Sequence, residues 1–138
     1  MAFANLSTLE TIRLEDECEL KMFQLKAFYN CVNLTKVDFG KNGKFKYICS
    51  SAFENCSKLA SIDLPKGIKL LGNKAFVGCT SMKSIIIPAS VNMTGYGVFA
   101  GWTKDQTIYV ELSETPATGW RVWLNGCNAT VVWGYKSN

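Results

Sequence analysis

The sequence predicts an α/β solenoid dominated by β-structure, with about five short parallel-strand coils of 23–25 residues and a C-terminal aromatic cap. Three observations predict it: an Ala-Phe pair recurs at near-constant spacing, an alternating apolar pair follows each occurrence, and all four tryptophans lie after residue 100. We expect the repeat array to span residues 1–110 and the capping segment residues 111–138. A unit this short cannot bury its apolar side alone, so the units stack into one continuous core.

Each repeat begins with the same short frame. The Ala-Phe pair occurs at Ala2-Phe3, Ala27-Phe28, Ala52-Phe53, Ala75-Phe76 and, in degenerate form, Val98-Phe99. The second residue after the phenylalanine is Asn5, Asn30, Asn55, Gly78 or Gly101. The position after that, called the ladder position below, holds Leu6, Cys31, Cys56, Cys79 or Trp102. Asparagine and glycine tolerate a left-handed backbone, so this frame predicts a one-turn helix that ends at them.

A short strand is predicted after each ladder position. Apolar residues alternate there at Ile12/Leu14, Val37/Phe39, Ile62/Leu64, Ile85/Ile87 and Ile108/Val110. Alternation with a period of two indicates a strand with one buried face. Pro65 and Pro88 end two of these strands, because proline lacks the backbone donor and fixes φ. A second apolar pair, such as Phe45/Ile48, precedes each following Ala-Phe and adds to the core.

The two middle repeats resemble a known family. The stretch "AFENCSKLASIDLPKGIKLLGNKAFVGCTSMKSIIIPASV" is similar to the leucine-rich repeat of the bacterial surface type, the BspA-like kind, over about residues 2–110. The first repeat departs from the pattern, since Leu6 replaces cysteine and "EDECELKMFQLK" lacks the proline and glycine. The resemblance implies a secreted or cell-surface protein that binds other proteins or host surfaces without catalysis.

The six cysteines are better explained as packing residues than as a chemical site. Cys31, Cys56 and Cys79 share the ladder position in successive repeats, so they should stack as buried, reduced rungs. A disulfide within the ladder is the weaker alternative, and a metal site is weaker still, because the chain has no C-x-x-C motif and no histidine. Nothing in the sequence decides the redox state of Cys18, Cys49 and Cys127.

The composition argues against catalysis and against several partner classes. Without histidine, Ser-His and Cys-His catalysis is excluded within this chain, and we expect no cofactor. Asp38 and Asp63 are candidate acid/base groups, but no pattern places a cleft around them. A net charge of +4 is spread along the chain, which argues against nucleic-acid binding. No apolar run approaches the ~20 residues that span a bilayer, and no signal peptide is recognised.

The tryptophans permit two interpretations. Trp102, Trp120, Trp123 and Trp133 are the bulky residues expected to cover the open apolar end of the last repeat. A platform for sugar rings is the alternative, so a glycan partner is possible but less expected than a protein.

The residues that alternate with the core residues of the predicted strands should form an exposed surface, called the strand face below. Its predicted binding residues are Arg13, Lys36, Asp38, Ser61, Asp63, Ser84, Ile86, Thr107 and Tyr109, with Thr11 beside them. Ile86 next to Tyr109 is the expected anchor, because an apolar pair ringed by polar groups is common in binding hot spots. A competing site is the row Lys21, Lys46 and Lys69, which would suit an acidic partner.

Two functions from different classes fit this pattern. The first is a non-catalytic protein-binding or host-surface adhesion module that uses the strand face. The second is a structural spacer or capping segment of a longer surface protein whose binding site lies elsewhere. The frame begins directly after Met1, so we expect a piece of a longer array, with weak self-association through the uncovered first repeat.

Overall fold

The computed structural model describes residues 1–116 and 118–137 and confirms the solenoid, as a stack of about five turns with parallel strands. Ala117 and Asn138, both in the predicted capping segment, lie outside the described residues. The strands are β1 (Thr11–Arg13), β2 (Met22–Phe23), β3 (Lys36–Asp38), β4 (Tyr47–Ile48), β5 (Leu70–Leu71), β6 (Ser84–Ile87), β7 (Met93–Thr94), β8 (Thr107–Val110) and β9 (Thr130–Trp133). In this part of the chain no helix is long and apolar enough to cross a membrane.

The strands form three parallel sheets on two sides of the coil. β1 pairs with β3, and β6, β8 and β9 form a second group on the same side. β2, β4, β5 and β7 form a continuous four-stranded sheet on another side. The sequence did not predict this second sheet, because strands of two residues are too short to show an alternating pattern.

The Ala-Phe frame forms turns where a one-turn helix was predicted. Alternate backbone N–H groups of the frame donate to the next coil: Phe28 to Ala52 O at 2.9 Å and Asn30 to Glu54 O at 2.9 Å. The N–H groups between them donate within their own turn, as Tyr29 does to Lys26 O at 3.3 Å. Asn30 and Asn55 have φ of 57° and 64°, as predicted for left-handed positions. Because these donors are used between coils, the frame is a third inter-coil ladder rather than a helix.

The interior is built from side chains stacked on their own equivalents. Phe28, Phe53, Phe76 and Phe99 are buried and lie face to face, and Phe3, which is 48% exposed, continues the stack at the first coil. The ring centroids are 5.5 to 5.8 Å apart, with interplanar angles of 7° to 14°. The asparagine amides form a parallel row on the turn: Asn55 donates to Asn30, and Asn30 donates to Asn5, at 2.9 and 3.0 Å. The repeat period in the sequence is therefore the stacking period of the core.

The third repeat breaks the first side of the coil. Ile62 and Leu64 are buried as predicted, but residues 60–64 form no strand and lie between the β1–β3 and β6–β8–β9 sheets. A strand here would place Asp63 opposite Asp38, and like charges directly opposite one another disfavour pairing. The prediction of a strand at Ile62/Leu64 is therefore wrong, whereas the prediction that both side chains are buried is confirmed.

The aromatic cluster predicted at the C-terminal end is present. Trp120 and Trp123 are almost fully buried, with ring centroids 4.9 Å apart, and Trp123 also packs on Phe99 and Trp133 at 6.0 and 5.8 Å. β9 pairs with β8, so the same segment extends the sheet. Among the described buried side chains, the Trp120 indole N–H is the polar group that finds no hydrogen-bond partner.

Candidate binding surface

The ladder cysteines are structural rungs, as predicted. Cys31, Cys56 and Cys79 are fully buried and reduced, and each thiol donates to the phenylalanine carbonyl of the preceding coil at 3.0 to 3.2 Å. Trp102 continues the ladder, since its indole N–H donates to Phe76 O at 3.0 Å. Burial raises the pKa of the Cys56 thiol to about 12 and the pKa of Cys79 further still. Thiols held protonated in this way are poor nucleophiles and poor metal ligands.

The cysteines outside the ladder are also free. Cys18, Cys49 and Cys127 are half-buried, and none of them forms a disulfide. Burial raises the pKa of the Cys49 and Cys127 thiols. Cys18 lies near Asn42, whose side-chain amide is 3.5 Å from its sulfur.

The structure brings the predicted strand-face residues together in two groups. In the first group, Thr11 lies opposite Lys36 and Arg13 opposite Asp38. In the second, Ser84 lies opposite Thr107 and Ile86 opposite Tyr109. Ser61 and Asp63 are exposed in the unpaired segment between the two groups. The face is therefore a charged patch and an apolar patch separated by the third repeat.

The charges of the strand face are only partly satisfied within the protein. Asp38 accepts the backbone N–H of Gly40 at 2.8 Å. Across residues 1–116 and 118–137, Lys44–Glu19 is the ion pair that forms, so neither Arg13 nor Lys36 neutralises Asp38 or Asp63 by direct contact. Asp63 remains an exposed carboxylate available to a basic group.

The apolar patch extends further than the sequence indicated. Val132 of β9 lies next to Tyr109 in the sheet register and is 37% exposed, so the row is Ile86, Tyr109 and Val132. The Tyr109 ring also packs on Tyr135, with centroids 4.7 Å apart. Both added residues lie in the predicted capping segment. The run "TVVW" of β-branched and aromatic residues was the signal that could have identified β9 as a strand.

A shallow groove of about 200 Å³ follows the break in the sheet. Asp63 and Lys66 line one side, and Ile86 and Glu111 line the other. Glu111 is held in place, because one carboxylate oxygen accepts the backbone N–H of Ala89 at 3.1 Å and the other accepts the Ser137 hydroxyl. The groove therefore lies between the unpaired third repeat and the apolar patch.

The positions of the tryptophans and aspartates lend no support to the alternative interpretations, a glycan platform and a pair of acid/base groups. Trp120 and Trp123 are 1% and 2% exposed, so neither ring presents a face on which a sugar could stack. Asp38 is half-exposed and accepts the Gly40 N–H, and Asp63 is exposed. The described residues contain no group of three or more His, Cys, Asp or Glu side chains that could hold a metal ion.

The three lysines predicted as a competing site are aligned in a row. Lys46 N–H donates to Lys21 O, and Lys69 N–H donates to Lys46 O, both at 2.7 Å, so the three residues are stacked in successive coils. They directly precede β2, β4 and β5 and lie on the side of the four-stranded sheet, away from the strand face.

Comparison with known proteins gives two positive findings. The chain resembles the crystal structure of the T. pallidum leucine-rich repeat protein TpLRR with a TM-score of 0.66 and 18% identity, over 92% of this chain and 70% of that one. At that identity the likeness shows a shared fold. No curated protein matches the sequence significantly. The profile of the BspA type leucine-rich repeat region matches residues 1–115 with six copies, and the chain therefore belongs to this family.

Proposed function

We propose that the chain is a non-catalytic protein-binding or host-surface adhesion module of a bacterial secreted or cell-surface protein. The family supplies the coarser part of this statement, since leucine-rich repeats form protein-interaction modules and BspA-type proteins are typically secreted or surface-bound. The surface location, the adhesive role and the absence of catalysis are the proposed parts.

One observation carries the choice of surface. Ile86, Tyr109 and Val132 form an apolar row on the strand face, flanked by the hydroxyl row Ser84, Thr107 and Thr130. Partial exposure of aligned apolar side chains at rigid sheet positions is not needed for folding, and such clusters ringed by polar groups are common binding anchors. The proposed partner-binding residues are therefore those predicted from the sequence, with Val132 added.

The charged half of the face defines the partner's chemistry. Arg13, Lys36 and Asp63 are exposed and form no ion pair with one another. A protein partner with an apolar anchor and a nearby basic group would bury the row and place that basic group at Asp63 and the groove. Charge complementarity of this kind contributes mainly to specificity and association rate.

The experiment compares captured proteins between matched baits. The purified chain, the Ile86→Glu variant and the Lys83→Glu variant are each immobilised and exposed to host-cell surface extracts. We expect proteins that are retained by the first and third baits and lost with Ile86→Glu, because a charge in the apolar row opposes its burial. Lys83 is exposed next to β6 and is the matched surface control.

The spacer alternative makes the opposite prediction. If the chain only separates or caps other parts of a longer surface protein, the three baits retain the same proteins in the same amounts. That result would remove the strand face from the proposal.

A further inference from the structure

The four-stranded sheet carries an exposed apolar row that the strand-face proposal does not use. The sheet register places Met22 next to Tyr47, Tyr47 next to Leu70, and Leu70 next to Met93. Met22 and Tyr47 are each 36% exposed and Met93 is 56% exposed, while their strand neighbours Phe23 and Ile48 face the core. Met22, Tyr47, Leu70 and Met93, called the methionine row below, form a continuous stripe across the four strands.

The charge around the methionine row has one sign. Lys21, Lys46 and Lys69 directly precede three of its residues, and Lys21 and Lys69 are exposed. No residue in the four strands of this sheet is Asp or Glu, and neither is any residue directly before or after a strand. Glu19, two residues before Lys21, is already paired with Lys44. The strand face, by contrast, carries Asp38 and Asp63.

The spacing of the row suits one kind of partner element. Neighbouring strands lie ~4.8 Å apart, so the row repeats at nearly the ~5.4 Å pitch of an α-helix. A helix lying along the solenoid axis can therefore place one apolar residue per turn on each of Met22, Tyr47, Leu70 and Met93, with a mismatch of roughly 0.6 Å per turn. Methionine side chains adapt to irregular apolar surfaces and accommodate such a mismatch.

We propose that the methionine row and its lysines bind an acidic amphipathic helix of a protein partner. The apolar side chains of the helix, at positions i, i+3 or i+4 and i+7, cover the row, and its glutamate or aspartate residues lie beside the lysines. Three residues further along the chain the middle coils carry the polar residues Ser50 and Asn73, whereas the outer coils carry Leu25 and Tyr96, which are 55% and 50% exposed. The apolar surface is therefore narrow in the middle coils, which fits a single helix. A membrane surface would instead require a broad apolar face.

The direct test uses a designed probe. A labelled helical peptide of about 18 residues, five turns, carries leucine at the helical spacing and glutamate elsewhere, and a second peptide carries lysine in place of glutamate. Fluorescence anisotropy measures binding of each peptide to the intact chain. We expect the glutamate peptide to bind at least about tenfold more tightly than the lysine peptide, with the affinity falling as salt is raised.

Matched variants locate the binding site. Met93→Glu and the double variant Lys21→Glu/Lys69→Glu should each weaken binding of the glutamate peptide by about tenfold or more. Val32→Glu, at an exposed apolar residue outside the row, and Lys83→Glu/Lys104→Glu, at exposed lysines outside the sheet, should change it by less than about twofold. Thermal melts of all four variants establish that they fold.

Three results would overturn the proposal. The first is equal binding of the two peptides, and the second is binding that is insensitive to both Met93→Glu and the lysine double variant. The third is binding to phosphatidylserine vesicles in the absence of any binding to the glutamate peptide, which would assign the row to a membrane surface. Ile86→Glu should leave peptide binding unchanged, so this test is independent of the strand-face proposal.

Discussion

The interior of the coil and its outer rows follow opposite rules. Inside, one residue type recurs in coil after coil: five phenylalanines stack on one another, and cysteine or tryptophan donates to the phenylalanine carbonyl of the preceding coil. Outside, each row changes along the axis, from Arg13 and Asp38 to Ile86, Tyr109 and Val132. We infer that the interior positions, which repeat in every coil, determine stability. The outer positions, which change from coil to coil, are the ones that can recognise a partner.

The largest effect expected from this difference is on stability. Phe76 is fully buried between Phe53 and Phe99, with centroids 5.8 and 5.6 Å away. Phe76→Ala should lower the free energy of unfolding by about 3–5 kcal/mol, whereas Ile86→Ala should cost about 1 kcal/mol because Ile86 is half-exposed. Urea unfolding followed by circular dichroism measures both. Equal losses would contradict a separation between interior and outer rows.

The second prediction concerns the left-handed turn. Gly78 has a φ of 78°, and a Cβ there would lie 3.0 Å from the Asn55 Cα, next to the asparagine row. Gly101 has a φ of 84° with open space around it. Gly78→Ala should destabilise the fold by about 2–3 kcal/mol, since crowding adds to backbone strain, and Gly101→Ala by about 1 kcal/mol from strain alone. Chemical denaturation of the pair is the measurement, and a larger loss at Gly101 would be inconsistent with this packing.

The third prediction concerns the ladder thiols at high pH. Burial raises the pKa of Cys56 to about 12, above the ~8.5 of an unfolded thiol. Ionisation therefore favours the unfolded state: the stability is fully present below about pH 8.5 and is lost as the pH rises toward 12. Between about pH 8 and 10 the Cys56→Ala variant should lose about 2 kcal/mol less stability than the parent chain.

The measurement is urea unfolding at each pH, with Cys18→Ala as the control at a half-buried cysteine outside the ladder. Identical pH profiles for Cys56→Ala and the parent would show that folding does not protect the ladder thiol from ionisation.

Cys56→Ser should lower the free energy of unfolding by about 1–2 kcal/mol at neutral pH, because its shorter hydroxyl has to reach the Phe28 carbonyl that the thiol contacts at 3.2 Å.

The smallest expected effect compares the two ends of the molecule. At the first coil an apolar cavity of about 480 Å³ is lined by residues such as Phe3, Leu20 and Met22, while the last coil is covered by Trp120 and Trp123. We expect weak self-association through the first coil, seen as a concentration-dependent mass in sedimentation. Leu20→Glu should abolish it and Val122→Glu should not. A strict monomer at high concentration would count against this expectation.

The recurring part of the structure could be predicted from the sequence. The Ala-Phe spacing predicted the coil, the left-handed positions and the buried faces of the strands from Val37 onward, while Ile12 in the first coil is only partly buried. The ladder position of Cys56 predicted its buried thiol. These features follow from stacking, because each repeat must satisfy the same neighbours and so keeps the same residue types.

The features that break the repetition could not be predicted from periodicity. Residues 60–64 have the same alternation as their neighbours, so periodicity alone predicted a strand there. The opposed charges of Asp38 and Asp63 were the sequence signal against its pairing. The methionine row lies on strands of two residues, which are too short for periodicity to be detected. Lys26 and Lys74 take left-handed φ angles of 53° and 55°, and lysine has no preference for such angles that the sequence could signal.

The central claim is that interior residues determine stability and outer residues determine recognition. The most direct test compares the melting temperatures of two variants and the host proteins that each retains as an immobilised bait. Phe76→Ala should lower the melting temperature by roughly 10 °C or more and, below that temperature, retain the same host proteins as the parent chain. Ile86→Glu should change the melting temperature by less than about 4 °C and lose those proteins. If the Ile86→Glu bait retains them, or if only Phe76→Ala loses them, recognition does not reside in the outer row and the account is contradicted.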